Sequence, residues 1–333
     1  MNGRTLLALV VVALALLLFS LNSIREPDEK VSAEAELLLK GLNSDDIFRI
    51  DITAANNRQV AQLELLSSGW QEQITGYSAS SQLVRTALNL TRATRLTAKT
   101  SAPGRYAQLG VSDTNKPDAA GLLLRFFHNG GAENPVAVII GDPAPQGHFV
   151  RLEGDPQSWL IDQQLQLPRE TVGWLETTLI DIPAERLRTV ELWSDEAQHD
   201  DSILFTKKSA GQSFSPAEGH PNVSIGALAG MLSELRFAAV HPAQAVAANG
   251  PVIRAEFITF DGLLINAICK RTPDGWRVSF SASHTGDKST SESKAVADEA
   301  ITINHRVDGW AFSLPEFKLR SLLELSDKAA PAK

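Results

Sequence analysis

The sequence predicts an α+β protein of two similar tandem domains, each mainly antiparallel sheet with a few helices, after one amino-terminal transmembrane helix. Three observations predict this architecture. Strand-like segments alternate apolar and polar residues with a period of two, and turn residues separate them. The same order of strands and helices recurs in the second half of the chain. A run of apolar residues stands near the amino terminus.

The apolar run extends from Leu6 to Leu21, reads LLALVVVALALLLFSL and contains no charge. With its neighbours it spans about 20 residues, or roughly 30 Å as a helix, which matches the thickness of a bilayer core. A segment that is apolar on every face cannot be the amphipathic helix of a soluble domain. We therefore expect residues 1–24 to form a membrane anchor, with these side chains facing lipid: Leu6, Leu7, Val10, Val11, Leu14, Leu17, Leu18 and Leu21.

Charges on the two sides of this run predict its orientation. Arg4 and the free amino group precede it, whereas residues 25–30 carry a net negative charge. The amino terminus is therefore expected in the cytoplasm and the body in the periplasm, attached to the bacterial inner membrane by a single pass. A cleaved signal peptide is the alternative, although residues 21–23 make a poor cleavage site. Both interpretations export the body.

Residues 25–44 are predicted to form a polar stalk that passes into a short helix. The first domain, residues 45–183, begins with a strand at Ile47–Ile52 and a second strand at Val60–Leu66. Two helices are predicted in it, over Ala79–Arg95 and Arg169–Thr177. Between the helices we expect four strands that turn residues separate, at 122–127, 136–140, 149–152 and 159–161.

The second domain, residues 184–326, repeats this order at an offset of about 140 to 150 residues. A period this long indicates duplicated domains, because solenoid repeats span roughly 20–50 residues. A loop is expected over Ser283–Ser293 and a disordered tail over 327–333. The predicted strands are 187–193, 202–206, 252–260, 263–270, 276–281, 300–305 and 309–313, and the predicted helices are 224–235 and 316–325.

Composition narrows the class of protein. The net charge of -8 argues against nucleic acid as a partner, because proteins that bind phosphates normally present a basic surface. The single cysteine, Cys269, cannot form a disulfide within the chain or a thiolate metal cluster. We interpret it as a small buried hydrophobic residue in a strand.

Sequence motifs point to no catalytic residue, metal site or cofactor. The seven histidines include no pair spaced for a helical metal site, and no nucleophile elbow, P-loop or dinucleotide fingerprint occurs. The carboxylate pairs Asp45-Asp46, Asp200-Asp201 and Asp298-Glu299 are expected in solvated loops or at the edges of elements. Three tryptophans at strand-like runs are expected to pack at sheet ends, with a ligand-stacking surface as the alternative, namely Trp70, Trp159 and Trp310.

Short motifs in the first half, together with the apolar anchor, carry a resemblance. They are Arg95-Leu-Thr-Ala98, Tyr106-Ala-Gln-Leu-Gly-Val111, Val138-Ile-Ile-Gly141, His148-Phe-Val-Arg-Leu152 and Thr178-Leu-Ile-Asp-Ile-Pro183. The chain resembles the bacterial family called domain of unknown function 4340, best from Ile47 to Trp193. The resemblance implies a membrane helix and an exported α+β body. Many members are encoded beside ABC-transporter components of the gliding-motility or polysaccharide-export type, which implies integral-membrane transporter subunits as partners.

Two functions remain open at this point. The first is a non-catalytic, membrane-anchored accessory subunit of an ABC-type transporter, which acts through protein–protein contacts. The second is an envelope protein that binds or hydrolyses a glycan or a peptide at a site between the two domains, lined by carboxylates and the three tryptophans.

Overall fold

The computed structural model describes residues 36–130, 134–195, 202–215, 225–247, 249–250, 252–286 and 291–329. Within these ranges the strands pair antiparallel in sheets and the helices are few, which confirms the sheet-rich α+β class. The eight predicted anchor residues lie outside the described ranges. In the part of the chain that is described, no helix combines the length and apolar character needed to span a membrane.

The first half of the chain, residues 36–183, contains a nine-stranded sheet in the order β4-β3-β2-β1-β6-β7-β8-β9-β5. A short helix, α1 (Ser81–Leu88), continues into a 3-10 turn at Asn89–Arg92 and leads into β5. The strands are β1 (Ile47–Ala54), β2 (Arg58–Leu66), β3 (Gly69–Glu72), β4 (Tyr77–Ser78), β5 (Arg95–Ala98), β6 (Leu122–His128), β7 (Val136–Ala144), β8 (Gly147–Leu152) and β9 (Ser158–Ile161).

The period of two in the sequence assigns side chains to the two faces of this sheet. In β6, Leu122, Leu124 and Phe126 enter the main core of the half, whereas Leu123 points to the opposite face. There it joins a smaller cluster with Tyr106 and other residues that the segment after β5 lays over the sheet. Both faces of the middle strands are therefore covered.

The second half, residues 184–329, contains a seven-stranded sheet in the order β12-β11-β15-β16-β17-β18-β14. A separate two-stranded sheet pairs β10 (Thr178–Ile180) with β13 (Leu235–Arg236). The other strands are β11 (Leu187–Ser194), β12 (Ile203–Thr206), β14 (Ala239–Pro242), β15 (Val252–Thr259), β16 (Leu263–Thr272), β17 (Gly275–His284) and β18 (Trp310–Ser313). The helices are α2 (Gly226–Ala229), α3 (Ser291–Val307) and α4 (Glu316–Ala329).

The strand orders of the two large sheets correspond position by position. Removing the β3–β4 pair from the first sheet leaves β2-β1-β6-β7-β8-β9-β5, which has the same pattern of chain order as the second sheet. The leading strands share an irregularity as well. The pairing of β1 with β6 shifts register after Ile47, and the pairing of β11 with β15 shifts after Leu187.

Several predicted helices are shorter than expected or are absent. The helix over 169–177 is wrong, because the structure has only a 3-10 turn at Thr171–Trp174, whose Trp174 is fully buried. The helix over 79–95 ends by Arg92, and the helix over 224–235 is the four-residue α2. A helical segment of one to three turns is barely stable by itself, so tertiary packing decides how far each of these segments extends.

The strand predicted over 300–305 is also wrong, because these residues lie within α3. The buried positions of α3 are Val296, Ala300, Ile303 and Val307, spaced three and four residues apart. A short apolar run containing β-branched residues fits a strand or a buried helix equally well, and only the length of the whole periodic segment separates them. Part of the predicted loop, Ser291–Ser293, starts this helix, and α4 runs four residues beyond its predicted end.

The predicted stalk partly belongs to the folded body. Leu38, Leu39 and Leu42 are buried in the main core of the first half. The backbone N–H of Leu38 donates to the carbonyl of Ala93 at 2.7 Å, which attaches this segment beside β5. The body therefore begins by residue 36, and residues 25–35 of the stalk lie outside the described ranges.

One aromatic side chain joins the two halves. Tyr77, in β4 of the first sheet, is only 2% exposed and belongs to the core of the second half. Its ring lies 5.3 Å from the centroids of both Phe237 and Trp310, each in an edge-to-face arrangement. Its hydroxyl donates to the carbonyl oxygen of Arg306 at 2.9 Å.

Replacing this side chain tests its contribution to the junction. We expect Tyr77→Ala to lower the free energy of unfolding by about 3–5 kcal/mol, because it leaves a cavity between the halves. Tyr77→Phe removes only the hydrogen bond and should lower it by about 1 kcal/mol. Phe317→Ala, at a site that is 66% exposed, is the control and should change it by less than about 0.5 kcal/mol. Urea denaturation measures all three, and a Tyr77→Ala value within the range of the control would contradict this role.

Candidate functional site

A polar cleft opens on the face of the first sheet that points away from the main core. It has a volume of about 520 Å³ and is lined mainly by polar side chains. The turn after β1, the loop at 113–116 and the turn after β8 form its walls. We call it the outer cleft. Its volume falls within the range of roughly 300–1,000 Å³ that is typical of small-molecule sites.

Arg151 in β8 organises the floor of the outer cleft and is only 4% exposed. Its Nε donates to the carbonyl of Val111 at 3.0 Å, and Nη1 donates to the carbonyl of Asp155 at 3.1 Å. Nη2 donates to the carboxylate of Asp113. The guanidinium also lies 4.5 Å from the centre of the Tyr106 ring. A buried guanidinium is stable only when its donors are satisfied, and these partners satisfy it.

Tyr106 begins the segment that crosses the sheet beneath the cleft, which we call the crossing segment, residues 106–111. Its hydroxyl donates to the carbonyl of Pro156 at 2.6 Å, and its ring is buried against the sheet. The backbone N–H of Val111 donates to the carbonyl of Tyr106, which closes the segment into a turn. The crossing segment therefore connects the turn after β8 to the loop at 113–116.

Three glycines let the crossing segment approach the sheet closely. A Cβ atom on Gly141, in β7, would lie 2.2 Å from the carbonyl oxygen of Leu109. A Cβ on Gly121 would lie 2.5 Å from the carbonyl oxygen of Gly110, and Gly110 itself has a φ of +67°. Any larger residue would therefore force the backbones apart at these positions.

A second arginine stands on the rim of the outer cleft. Arg125, in β6, forms a bidentate ion pair with Glu153, with an Nη2–Oε1 distance of 2.7 Å. Its cross-strand neighbour Asp51 pairs with Arg49 on the same face, and the guanidinium of Arg49 lies 3.7 Å from the centre of the Phe127 ring. Burial raises the pKa of Asp51, although the two arginines oppose this shift. The face thus carries a row of alternating charges that neutralise one another.

A smaller cleft of about 330 Å³ lies beside Gly141, and His148 lines it. The backbone N–H of Leu165 donates to Nδ1 of His148 at 3.0 Å. The side chain is only 6% exposed, and burial lowers the pKa of His148. This histidine holds the segment after β9 against β8, because its Nδ1 accepts a buried backbone N–H.

The three candidate tryptophans lie apart from one another. Trp70 in β3 and Trp159 in β9 are separated by five strands of the first sheet, and Trp310 belongs to the second sheet. Each is partly buried against a core, and the guanidinium of Arg95 lies 4.8 Å from the ring of Trp159. A cleft of about 510 Å³ at the junction of the halves is lined in part by Gln82, Glu176 and Arg236, and none of these tryptophans lines it.

The other sequence candidates occupy structural positions. Cys269 is fully buried in β16, as expected, and burial raises the pKa of its thiol to about 12.

The expectation that Asp298-Glu299 lies in a loop or at an edge is wrong, because both residues are inside α3. Glu299 there pairs with Arg186 at 2.6 Å. Asp45-Asp46 forms an exposed 3-10 turn, and Asp200-Asp201 lies outside the described ranges. Among the described residues, no group of three His, Cys, Asp or Glu side chains could hold a metal ion.

Comparison with known proteins identifies the family. The family described as Domain of unknown function (DUF4340) matches residues 70–251, which is more than half of the chain. The chain belongs to this family. No curated protein and no solved structure matches it.

The DUF4340 match contains the crossing segment, its three glycines and both cleft arginines. Two short motifs that carried the resemblance, Leu109-Gly110 and Ile140-Gly141, face each other across the close approach. Sequence reasoning found these motifs but missed Arg125 and Arg151 as a pair. The available signal was a charge inside each of two strands that are otherwise largely apolar, LLLRFF and HFVRL.

The buried His148 predicts a dependence of stability on pH. Its pKa is lowered on folding, so below its unfolded value near 6.5 the unfolded chain binds more protons than the folded chain. The free energy of unfolding should therefore fall as the pH is lowered from about 7.5 to about 5. In His148→Gln, whose amide oxygen can accept the same N–H, this fall should be smaller. Urea denaturation at each pH measures it, and equal slopes in both proteins would contradict the assignment.

Proposed function

We propose that this protein is a non-catalytic, membrane-anchored envelope protein that serves as an accessory subunit of an ABC-type transporter through protein–protein contacts. In this proposal residues 1–24 cross the bacterial inner membrane once, with the amino terminus in the cytoplasm and the body in the periplasm. The body consists of two tandem repeats, and the partners are integral-membrane subunits of the transporter.

The pairing of charges in the outer cleft is the observation that carries this proposal. Arg151 is held by Asp113 and two backbone carbonyls, and Arg125 is held by Glu153. A general base or nucleophile needs an available lone pair and a pKa suited to its task. Four of the five charged side chains of the outer cleft are instead paired with one another, which favours a scaffold that binds over a site that reacts.

The shared strand order supports the tandem repeat. Seven strands of each sheet follow the same pattern, and the leading strands shift register at the same place. The sequence supports the anchor through its uncharged run at Leu6–Leu21.

An apolar spot on the first sheet supports contact with a protein partner. Leu65, which is 45% exposed, stands directly opposite Trp70 in the pairing of β2 with β3. The next residue, Leu66, is 39% exposed and points to the opposite face of the strand. An exposed apolar side chain beside a partly exposed aromatic ring is typical of protein interfaces.

Purification from native membranes tests the proposal. Full-length protein extracted in mild detergent should bring with it the permease and ATPase polypeptides of an ABC transporter, identified by mass spectrometry. Leu65→Glu should lower their recovery about tenfold, which corresponds to a loss of about 1.4 kcal/mol of binding free energy. Phe317→Glu, on an exposed face of α4, is the matched control and should leave recovery unchanged.

The alternatives give different results in the same experiment. Wild-type protein in the membrane fraction without transporter polypeptides would contradict the partner assignment. Wild-type protein in the soluble fraction would contradict the anchor itself. Loss of the partners in Phe317→Glu, but not in Leu65→Glu, would move the contact surface to the second half.

A further inference from the structure

The outer cleft has the properties of a binding site with a specific class of ligand. It lies within the first half alone, and its geometry depends neither on the membrane anchor nor on a transporter. Its walls, its charge and the functional groups on its surface each restrict the molecule that it could hold.

The walls of the cleft are fixed by the protein itself. The backbone N–H of Asn57 donates to the carbonyl of Thr114 at 2.9 Å, and the hydroxyl of Thr114 donates to Oδ1 of Asn57 at 3.1 Å. These bonds join the turn after β1 to the loop at 113–116, and Arg151 joins that loop to the turn after β8. A site that is ordered before binding loses little conformational entropy when a ligand enters.

The charge of the cleft disfavours an anionic ligand. Two arginines and three carboxylates line it, and each arginine is paired with one of the carboxylates, Arg125 with Glu153 and Arg151 with Asp113. The third carboxylate, Asp155, accepts the backbone N–H of Gln157 at 2.8 Å. An anion would meet the surplus carboxylate, and each arginine is already neutralised, so Coulomb interactions disfavour an anionic ligand.

The accessible groups suit a ligand with many hydroxyls. The side chains of Asp113 and Glu153 are 50% and 42% exposed, so each presents a carboxylate oxygen to solvent beside an arginine N–H. Asn57 and Asn115 are exposed and present planar amides with both donors and acceptors. A hydroxyl both donates and accepts a hydrogen bond. Two neighbouring hydroxyls on a sugar ring can therefore bond to the two polar atoms of one planar carboxylate or amide.

We propose that the outer cleft binds a neutral saccharide. The hydroxyls of the saccharide contact Asp113, Asn115 and Glu153, and they contact Arg125 at the rim of the cleft. The site is distinct from the junction of the two halves, where the sequence suggested a glycan site. Its lining is polar and its apolar surface is confined to Ile139, Pro156 and the covered ring of Tyr106, which excludes a lipid or an apolar peptide as the main occupant.

Saturation-transfer NMR tests this assignment on the full-length protein in a detergent that has no sugar head group. The probes are three neutral trisaccharides, maltotriose, cellotriose and N,N′,N″-triacetylchitotriose, and the anionic trisaccharide trigalacturonate. We expect at least one neutral probe to bind with a dissociation constant at or below about 1 mM, and the anionic probe to bind at least tenfold more weakly.

Two blocking variants locate the binding. Asn115→Trp places a large side chain in the outer cleft from an exposed position and should weaken binding at least tenfold. Gln82→Trp does the same in the junction cleft, which has a similar volume of about 510 Å³, and should leave binding unchanged. Unchanged circular dichroism spectra and urea midpoints in both variants show that the fold is intact.

Three results would overturn the proposal. The first is that no neutral trisaccharide binds at about 10 mM, which is tenfold above the expected dissociation constant. The second is that trigalacturonate binds more tightly than the neutral probes. The third is that binding is lost in Gln82→Trp rather than in Asn115→Trp. The transporter assignment is tested separately by co-purification, so either proposal can fail without the other.

Discussion

The close approach of the crossing segment to β7 is the constraint on which the first half of the molecule depends. The backbones meet where side chains larger than hydrogen would collide, at Gly110, Gly121 and Gly141. Arg151 holds the end of the segment through the carbonyl of Val111 and continues to Asp113 and Asp155. Sterics permit the contact, and a buried guanidinium with satisfied donors stabilises it.

The outer cleft and its neighbour follow from this contact. Because the crossing segment lies flat on the sheet, the loop at 113–116 projects beyond it and forms one wall of the outer cleft. On the other side of Gly141, the same layer leaves a small cleft in which His148 is shielded from water. The family match includes the crossing segment, the loop at 113–116 and His148.

The sequence predicted the strands far better than the helices. Alternation over β1 and β15 directly reports which face is buried, and the repeated order of strands could be read from the same signal. The short helices failed because a single turn such as Thr171–Trp174 is stabilised by tertiary burial of Trp174, which no local pattern encodes. The outer cleft could not be predicted, since Asp113 and Arg151 are 38 residues apart and meet only after the chain crosses the sheet.

A double-mutant cycle tests the dependence on the close approach most directly. Gly141→Ala and Arg151→Met are compared singly and together by urea denaturation, with Gly104→Ala as the control because its added Cβ meets open space. If both residues act through the crossing segment, each single change lowers the free energy of unfolding by about 1–3 kcal/mol. The combined loss should then fall short of the sum by more than about 0.5 kcal/mol. Additivity to within that value, or a Gly141→Ala protein as stable as the Gly104→Ala control, would contradict the account.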